Sequence, residues 1–335
     1  MTAQSGTRVV AFDDAGLETW CEDETFAVTS ERIAEYAAAT NDPISAHRAG
    51  AVASPVFAIV PVFEAMLMPV IDVAPTNIFG RVVHGEQDFH FHRAIEPGDR
   101  LVSRAKAIGY TSRANGTSIS ILVECRDGAG ELVNEQYLTA FFRDIHASKS
   151  VGAAAPTHKF DEALRSTVPV AVVSQHVDTD QTYRYAPAAG DPVPLHLDEQ
   201  VATDAGLPGI IAHGLCTMAF ASWAVLTEVA GSDTRRLTRF AVRFAKMVFP
   251  GDDLETRVWK AGSENGKTTY AFETVRGTDV VLSDGCPSPP PRSAPTTSRA
   301  GRERGNSSNR RSRNSADSTW WSTTRASCAT PSSPE

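Results

Sequence analysis

No Cys-x-x-Cys pair and no Cys/His cluster occurs in this chain of 335 residues. Its five cysteines, Cys21, Cys125, Cys216, Cys286 and Cys328, are scattered and odd in number. That usage argues against a structural zinc site and against a disulfide framework, and points to a reducing compartment. A basic excess is missing too. Formal net charge is −8, with 32 Lys and Arg against 40 Asp and Glu. The phosphate contacts of a nucleic-acid-binding protein therefore have no source. The N-terminal stretch MTAQSGTRVVAFDD has no apolar core and does not read as a signal peptide. The final SSPE is not a peroxisomal address. The longest apolar run, AVASPVFAIVPVFEAMLMPVIDVAP (51–75), is broken by Glu64, Pro61 and Pro69. It reads as an interrupted, buried core helix rather than a membrane span. A cytoplasmic protein with no membrane partner is the expectation, and the hydrophobic fraction of 41% is enough for a real core.

The chain repeats itself. FHRAIEPGDRL (91–101) aligns with FAKMVFPGDDL (244–254) at an offset of 153, matching Phe91 to Phe244, Pro97 to Pro250, Gly98 to Gly251 and Asp99 to Asp252. Pro55 and Pro208 share that offset. ATNDPISAH (39–47) aligns with AAGDPVPLH (188–196), placing Asp42 on Asp191 and His47 on His196 at an offset of 149. Three matches in the same order indicate a duplicated unit of about 150 residues. Each unit reads as an amphipathic stretch, a polar Asp/His loop, a long apolar helix and then several strands. The amphipathic stretch of the first is TSERIAEYAAAT (29–40), and the long helix of the second is HGLCTMAFASWAVLTEVAG (213–231), with Gly231 as a C-cap candidate. A helix apolar on every face must be buried on every face. The segments RFAVRFAKMV, LETRVWK and TTYAFETV alternate as strands do. The expected class is α+β: in each unit an antiparallel sheet curves round a long central helix, and the two sheets join into one.

The domain reading is residues 1–150 as the first unit, 151–285 as the second, and 286–335 as a tail. That last segment has no Leu, Ile, Val, Phe, Met or Tyr, and carries eight arginines against three acids. It cannot bury a core. It begins after VVLSDG, which reads as a strand entering a turn, and is either a solvated extension or the product of a reading-frame shift in a GC-rich gene.

The loop AAGDPVPLHLDEQ (188–200) is the chemical centre of the sequence. Gly190 permits a tight backbone, and Pro192 and Pro194 stiffen the chain after it. Such a loop can hold the carboxylate of Asp191 and the imidazole of His196 in fixed relation. A pair of that kind suits water activation, one group taking a proton while another delivers one. Downstream, His213-Gly214 opens the apolar helix, where backbone N–H groups have no intrahelical partner and face the positive end of the dipole. They suit an oxyanion hole for a thioester carbonyl. His213 itself reads as a structural helix-start residue. In the first unit Val60-Pro61 stands where His213-Gly214 stands in the second, and Pro61 offers no N–H. The first unit therefore reads as degenerate.

YAPAAGDPVPLHLD together with AGLPGIIAHGLC resembles the hydratase-2 motif of the MaoC-like dehydratase family, and RVVHGEQDFHFHRAIEPGD with VRFAKMVFPGD resembles the matching segments of its two-unit members. The resemblance spans roughly residues 10–285. It implies a double hotdog fold and (R)-specific hydration of a trans-2-enoyl-CoA to a (3R)-3-hydroxyacyl-CoA, without metal or redox cofactor. By the same resemblance Asp191 and His196 are the catalytic pair and the Gly214 N–H is the oxyanion donor. His84, Gly85 and Phe244 match substrate-contacting positions, and Arg113 lies where a basic residue would meet CoA phosphates. Relatives of this fold often pair, so a homodimer is implied. One position departs from the pattern: Val193 stands where the family usually has Asn. Two other readings stay open. One is a 3-hydroxyacyl-ACP dehydratase of fatty-acid synthesis, which the acidic body disfavours because the carrier is acidic. The other is a non-catalytic acyl-CoA-binding partner subunit.

Overall fold

A computed structural model describes residues 8–264 and 267–287. Most of the 286–335 segment lies outside the described residues. In chain order the elements are β1 (Arg8–Val10), β2 (Glu24–Ala27), α1 (Ser30–Ala39), α2 (Ser45–Arg48), α3 (Met68–Val73), β3 (Val82–Phe91), β4 (Arg100–Arg113), β5 (Gly116–Arg126), β6 (Leu132–Arg143), β7 (Ile145–Ala147) and β8 (Val151–Gly152). After these come β9 (Ala171–His176), α4 (Gln181–Ala189), α5 (Glu199–Asp204), α6 (Gly214–Val229), β10 (Arg239–Phe244), β11 (Asp253–Glu264), β12 (Lys267–Arg276) and β13 (Asp279–Cys286).

The duplication is visible in the sheet. Its strand order is β2-β4-β5-β6-β3-β10-β13-β12-β11-β9, with β8 on the side of β4. Each unit contributes its strands in the same internal order, one running outward-in and the other inward-out. They meet where β3 pairs antiparallel with β10, Phe89 opposite Phe240 and Glu86 opposite Arg243. The Pro-Gly-Asp turns match in detail. Gly98 has φ +95° and Gly251 φ +91°, a left-handed conformation that favours glycine. The Gly98 N–H donates to Val28 O at 2.9 Å and the Gly251 N–H to Val177 O at 2.7 Å. Asp99 Oδ2 accepts from the Glu96 N–H and Asp252 Oδ2 from the Phe249 N–H.

Helix α1 begins where Thr29 Oγ1 accepts from the Arg32 N–H at 3.2 Å, and buries Ile33, Tyr36 and Ala37 on one face. Helix α6 is buried from Leu215 through Leu226. It ends as the sequence suggests: Gly231 is left-handed at φ +64°, and the Ser232 N–H folds back to Leu226 O at 2.9 Å. No helix among the described residues is long and apolar enough to cross a membrane.

Two expectations are corrected. The first unit has no long apolar helix. A 3-10 segment, Pro55–Val62, leads through a turn to the short α3, and a second 3-10 segment covers Thr76–Arg81. Pro61 and Pro69 each lack the N–H that a continuous helix through this run needs, and their rings crowd the preceding turn, whereas Pro55 sits at the first helical position, where proline is tolerated. The broken segment still fills its half of the sheet, with Val56 to Ile59 fully buried. The second correction is at VVLSDG, which does not end in a turn there. Strand β13 continues to Cys286, passing Asp284 at φ +56°.

The units are tied by a buried ion pair. Arg239 on β10 donates through Nε and Nη2 to the two oxygens of Asp88 on β3, at 2.9 and 2.7 Å. Burial works to raise the Asp88 pKa, but the His90 and Arg239 hydrogen bonds outweigh it and the carboxyl sits below its ordinary value. Breaking one side of such a pair strands a buried charge, so Arg239→Leu is expected to cost about 3–5 kcal/mol in urea unfolding, with Asp88→Leu/Arg239→Leu recovering most of it. Additive losses in the double variant would contradict this.

Candidate active site

The Asp/His loop grows out of the end of α4. Gly190 caps that helix at φ +73°, and the Asp191 N–H closes onto Ala186 O at 3.0 Å. Asp191 Oδ1 then accepts from the Val193 N–H at 3.2 Å, an Asx turn. The loop therefore uses the backbone of Val193, not its side chain, to hold the carboxylate, which is how valine is accommodated there. A single 3-10 turn, Pro194–His196, carries the imidazole inward, and Asp198 caps α5 by accepting from the Gln200 and Val201 N–H groups.

His196 has one nitrogen committed. Its Nδ1 lies 2.8 Å from the carbonyl oxygen of Ile211. A carbonyl only accepts, so Nδ1 carries the proton and Nε2 is left as a lone pair. Burial lowers the His196 pKa to about 4, so the ring is neutral at pH 7. Burial raises the Asp191 carboxyl to about 6, with the Val193 N–H pulling the other way. The pair at neutral pH is thus a carboxylate and a neutral imidazole, both hydrogen-bond acceptors.

His213, which the sequence presents as a structural helix-start residue, lies inside the site. It occupies the N-cap position of α6, and its ring stacks on His196 with centroids 3.9 Å apart and planes 28° apart. Its Nε2–H donates to the Asp191 carbonyl oxygen at 3.2 Å, linking helix start to loop. Burial first, and then the neighbouring His196, lowers its pKa to about 2. The ligating atoms of Asp191, His196 and His213 all lie within 4.8 Å of one another. That composition would suit a metal, but in-plane lone pairs of two nearly parallel rings do not converge on one tetrahedral centre. The spacing between the Asp191 carboxylate and the imidazole suits one bridging water, since two hydrogen bonds of about 2.8 Å span such a gap.

The remaining sequence candidates divide. Gly214 opens α6, and a Cβ there would meet the Phe244 ring at 3.1 Å, so any larger residue would have to push that ring back from the helix start. Phe244 in turn makes an edge contact with His84, centroids 4.8 Å apart. His84 Nε2 lies 3.0 Å from Gln87 Oε1, and burial lowers its pKa to about 4. Gly85 sits in a register shift of β3 against β6, where a Cβ would stand 3.2 Å from Thr139 O. Its role there is backbone fit. His84, Phe244, Gly214, His213, His196 and Asp191 form one contiguous patch. Arg113 is not part of it. It is exposed at the tip of the β4–β5 hairpin, donates to Ser118 Oγ at 3.1 Å, and stands three strands from β3, about 14 Å across the sheet. The link from loop to helix start is hidden in sequence because it runs through the carbonyls of Ile211 and Asp191, which every residue possesses.

In the first unit the same Asx turn forms, Asp42 Oδ1 accepting from the Ile44 N–H at 2.9 Å. The histidine differs. His47 Nδ1 bonds directly to Asp42 Oδ2 at 2.7 Å, leaving no room for water between them.

Residues 161–281 match the family described as MaoC like domain, and residues 15–136 match the FAS1-like dehydratase domain region. The chain is 29% identical over 225 residues to a "Probable enoyl-CoA hydratase 2" of Dictyostelium discoideum, covering 64% of this chain and 74% of that protein. It is 30% identical over 213 residues to the "3-hydroxyacyl-thioester dehydratase Y" of Mycobacterium tuberculosis, covering 61% of this chain and 71% of that one. Among solved structures, a MaoC-like dehydratase from Phytophthora capsici superposes with TM-score 0.68 at 23% identity, over 81% of this chain and 95% of the other. A Mycobacterium tuberculosis protein described as a double hotdog superposes with TM-score 0.52 at 15% identity, over 77% and 91%. The fold is a double hotdog.

Desolvation of Asp191 has a cost in stability. A carboxyl raised in the folded state favours the protonated form, so the folded protein loses stability as pH rises from about 4 to about 6. Asp191→Asn keeps an oxygen for the Val193 N–H and removes that cost. Urea unfolding is expected to show the variant level with wild type at pH 4 and about 1–3 kcal/mol more stable at pH 8. A variant no more stable at pH 8 than at pH 4, relative to wild type, would rule out the desolvated carboxylate.

Proposed function

The chain belongs to the MaoC-like dehydratase family of hydro-lyases, and from that premise we propose that it is an (R)-specific enoyl-CoA hydratase, adding water reversibly to trans-2-enoyl-CoA to give (3R)-3-hydroxyacyl-CoA. The observation that carries this reading is the pair of half-buried acceptors, Asp191 and the Nε2 lone pair of His196, fixed by the Val193 N–H and the Ile211 carbonyl. A water between two acceptors donates both its protons and turns its oxygen lone pairs outward. That oxygen attacks Cβ. One proton passes to Asp191, whose pKa of about 6 against about 4 for His196 makes it the stronger base. The same proton is delivered to Cα, so H and OH add across the double bond and the enzyme ends as it began. The second proton remains on the new hydroxyl, hydrogen-bonded to His196. Charge that develops on the thioester oxygen is met by the Gly214 N–H at the start of α6. Phe244 and His84 form the wall beside it, and the first unit, with its direct Asp42–His47 bond, carries no second hydration site.

The match of residues 15–136 to a FAS1-like dehydratase region favours a second reading, in which the acyl group rides on a carrier protein. The ratio of kcat/KM for matched CoA and carrier-protein thioesters separates the two.

The test is hydration of trans-2-decenoyl-CoA, followed by loss of the conjugated-thioester absorbance and by trapping the product with an (R)-specific dehydrogenase. Turnover to (3R) product is expected, and Asp191→Asn and His196→Gln are each expected to lower kcat by about a thousandfold with substrate binding retained. Variants that keep wild-type kcat would remove both residues from the chemistry.

A further inference from the structure

The first unit carries a second arrangement of reactive groups, closed where the other is open. His47 Nδ1–H donates to Asp42 Oδ2 at 2.7 Å, so its Nε2 is the lone pair of the ring, and Thr234 Oγ1 lies 2.7 Å from it. Asp42 is 1% exposed, His47 0% and Thr234 7%. Thr234 comes from the second unit, on the turn between α6 and β10, where Asp233 Oδ1 accepts from the Arg235 N–H at 3.1 Å and fixes the backbone. The order is carboxylate, imidazole, hydroxyl, with the imidazole oriented to take the hydroxyl proton.

A cavity of about 330 Å³ is lined in part by Thr234, Ser54, Phe91, Ile95, Leu237 and Arg235. Its size is at the low end for small-molecule sites, enough for a short acyl group. Two observations mark it as a place for a polar ligand atom. Ser54 is 5% exposed and its Oγ is buried with no hydrogen-bond partner among the described residues. Such a group costs free energy unless something supplies a partner. Phe91 also stands at the repeat position of Phe244, the residue beside Gly214 in the candidate hydration site. The cavity therefore occupies, in the first unit, the place of the thioester site in the second.

We propose that Asp42, His47 and Thr234 form a second, hydrolytic site for short acyl esters and thioesters. Thr234 Oγ attacks the carbonyl carbon as its proton passes to His47 Nε2, and Ser54 Oγ–H donates to the carbonyl oxygen. Asp42 holds the imidazole in the required tautomer and faces its positive charge. The bond to the leaving oxygen or sulfur breaks, and that atom takes the proton from His47. A water then gives its proton to His47, attacks the threonyl ester, and releases the carboxylic acid with Thr234 restored.

The full chain is treated with a fluorophosphonate probe and mapped by peptide mass, and its hydrolysis of p-nitrophenyl butyrate is measured beside hydration of trans-2-decenoyl-CoA and circular dichroism. A covalent adduct on Thr234 is expected. Thr234→Val is expected to lose the adduct and to lower hydrolysis about a hundredfold or more, and Thr234→Ser to keep both. Hydration at Asp191 and His196 is expected to be the same in wild type and both variants, because Thr234 is outside that site. Absence of an adduct on Thr234 in folded wild-type protein, or undiminished hydrolysis in Thr234→Val, overturns the proposal. Because adduct and hydrolysis are read independently of hydration, a failure of hydration alone bears on the proposed hydratase and not on this site.

Discussion

The hydrogen bond from His196 Nδ1–H to the Ile211 carbonyl is what gives the loop its chemistry. It commits one nitrogen to the backbone and leaves the other as a lone pair. Without it the imidazole would be free to turn its proton toward Asp191 and close the gap that a water needs. The carbonyl is itself held, because the next residue, Ala212, donates its N–H to Val248 O at 2.8 Å. Strand-side backbone, helix start and loop are thus joined by bonds that no side-chain substitution at Ile211 removes.

Comparison of the two units shows how little separates an open pair from a closed one. Both loops make the same Asx turn, with Asp42 Oδ1 on the Ile44 N–H and Asp191 Oδ1 on the Val193 N–H. In the second unit a carbonyl takes His196 Nδ1, and the carboxylate and imidazole stay apart. In the first unit the carboxylate itself takes His47 Nδ1. The helical segment after each loop diverges for a related reason. Gly214 starts an uninterrupted α-helix whose first N–H groups have no intrahelical partner, whereas Pro61 and Pro69 interrupt the matching segment, which forms 3-10 turns and the short α3. Both segments satisfy the same demand from the sheet for apolar volume. Packing tolerates the prolines, and a continuous helix with free N–H groups at its start does not.

Much of the architecture is legible in the sequence because its signals are side-chain patterns. The duplicated Pro-Gly-Asp turns, the apolar helix at 213–231 and the alternating strands each report directly on burial and backbone conformation. The long helix expected in the first unit does not form, because apolar content alone cannot offset Pro61 and Pro69, which remove N–H donors inside the run. The end of β13 escapes the sequence because Asp284 adopts a positive φ inside a strand, where Asp-Gly normally signals a turn. At the site, Asp191, His196, Gly214, His84 and Phe244 are drawn together, as their motifs suggest. Arg113 is not, since nothing in a lone arginine after a strand fixes which end of which strand faces the pocket. The placement of His213 against His196, and in the first unit of Thr234 against His47, is invisible in sequence, because these contacts run between units or through backbone carbonyls.

The state of one ring tests the central claim, that Asp191 and His196 meet a water as two acceptors. Nitrogen-15 NMR of the histidines, assigned with a His196→Gln variant, reports both tautomer and titration. The expected result is a neutral His196 at pH 7 with its proton on Nδ1, titrating near pH 4. A proton on Nε2, or an imidazolium persisting at neutral pH, would contradict the account.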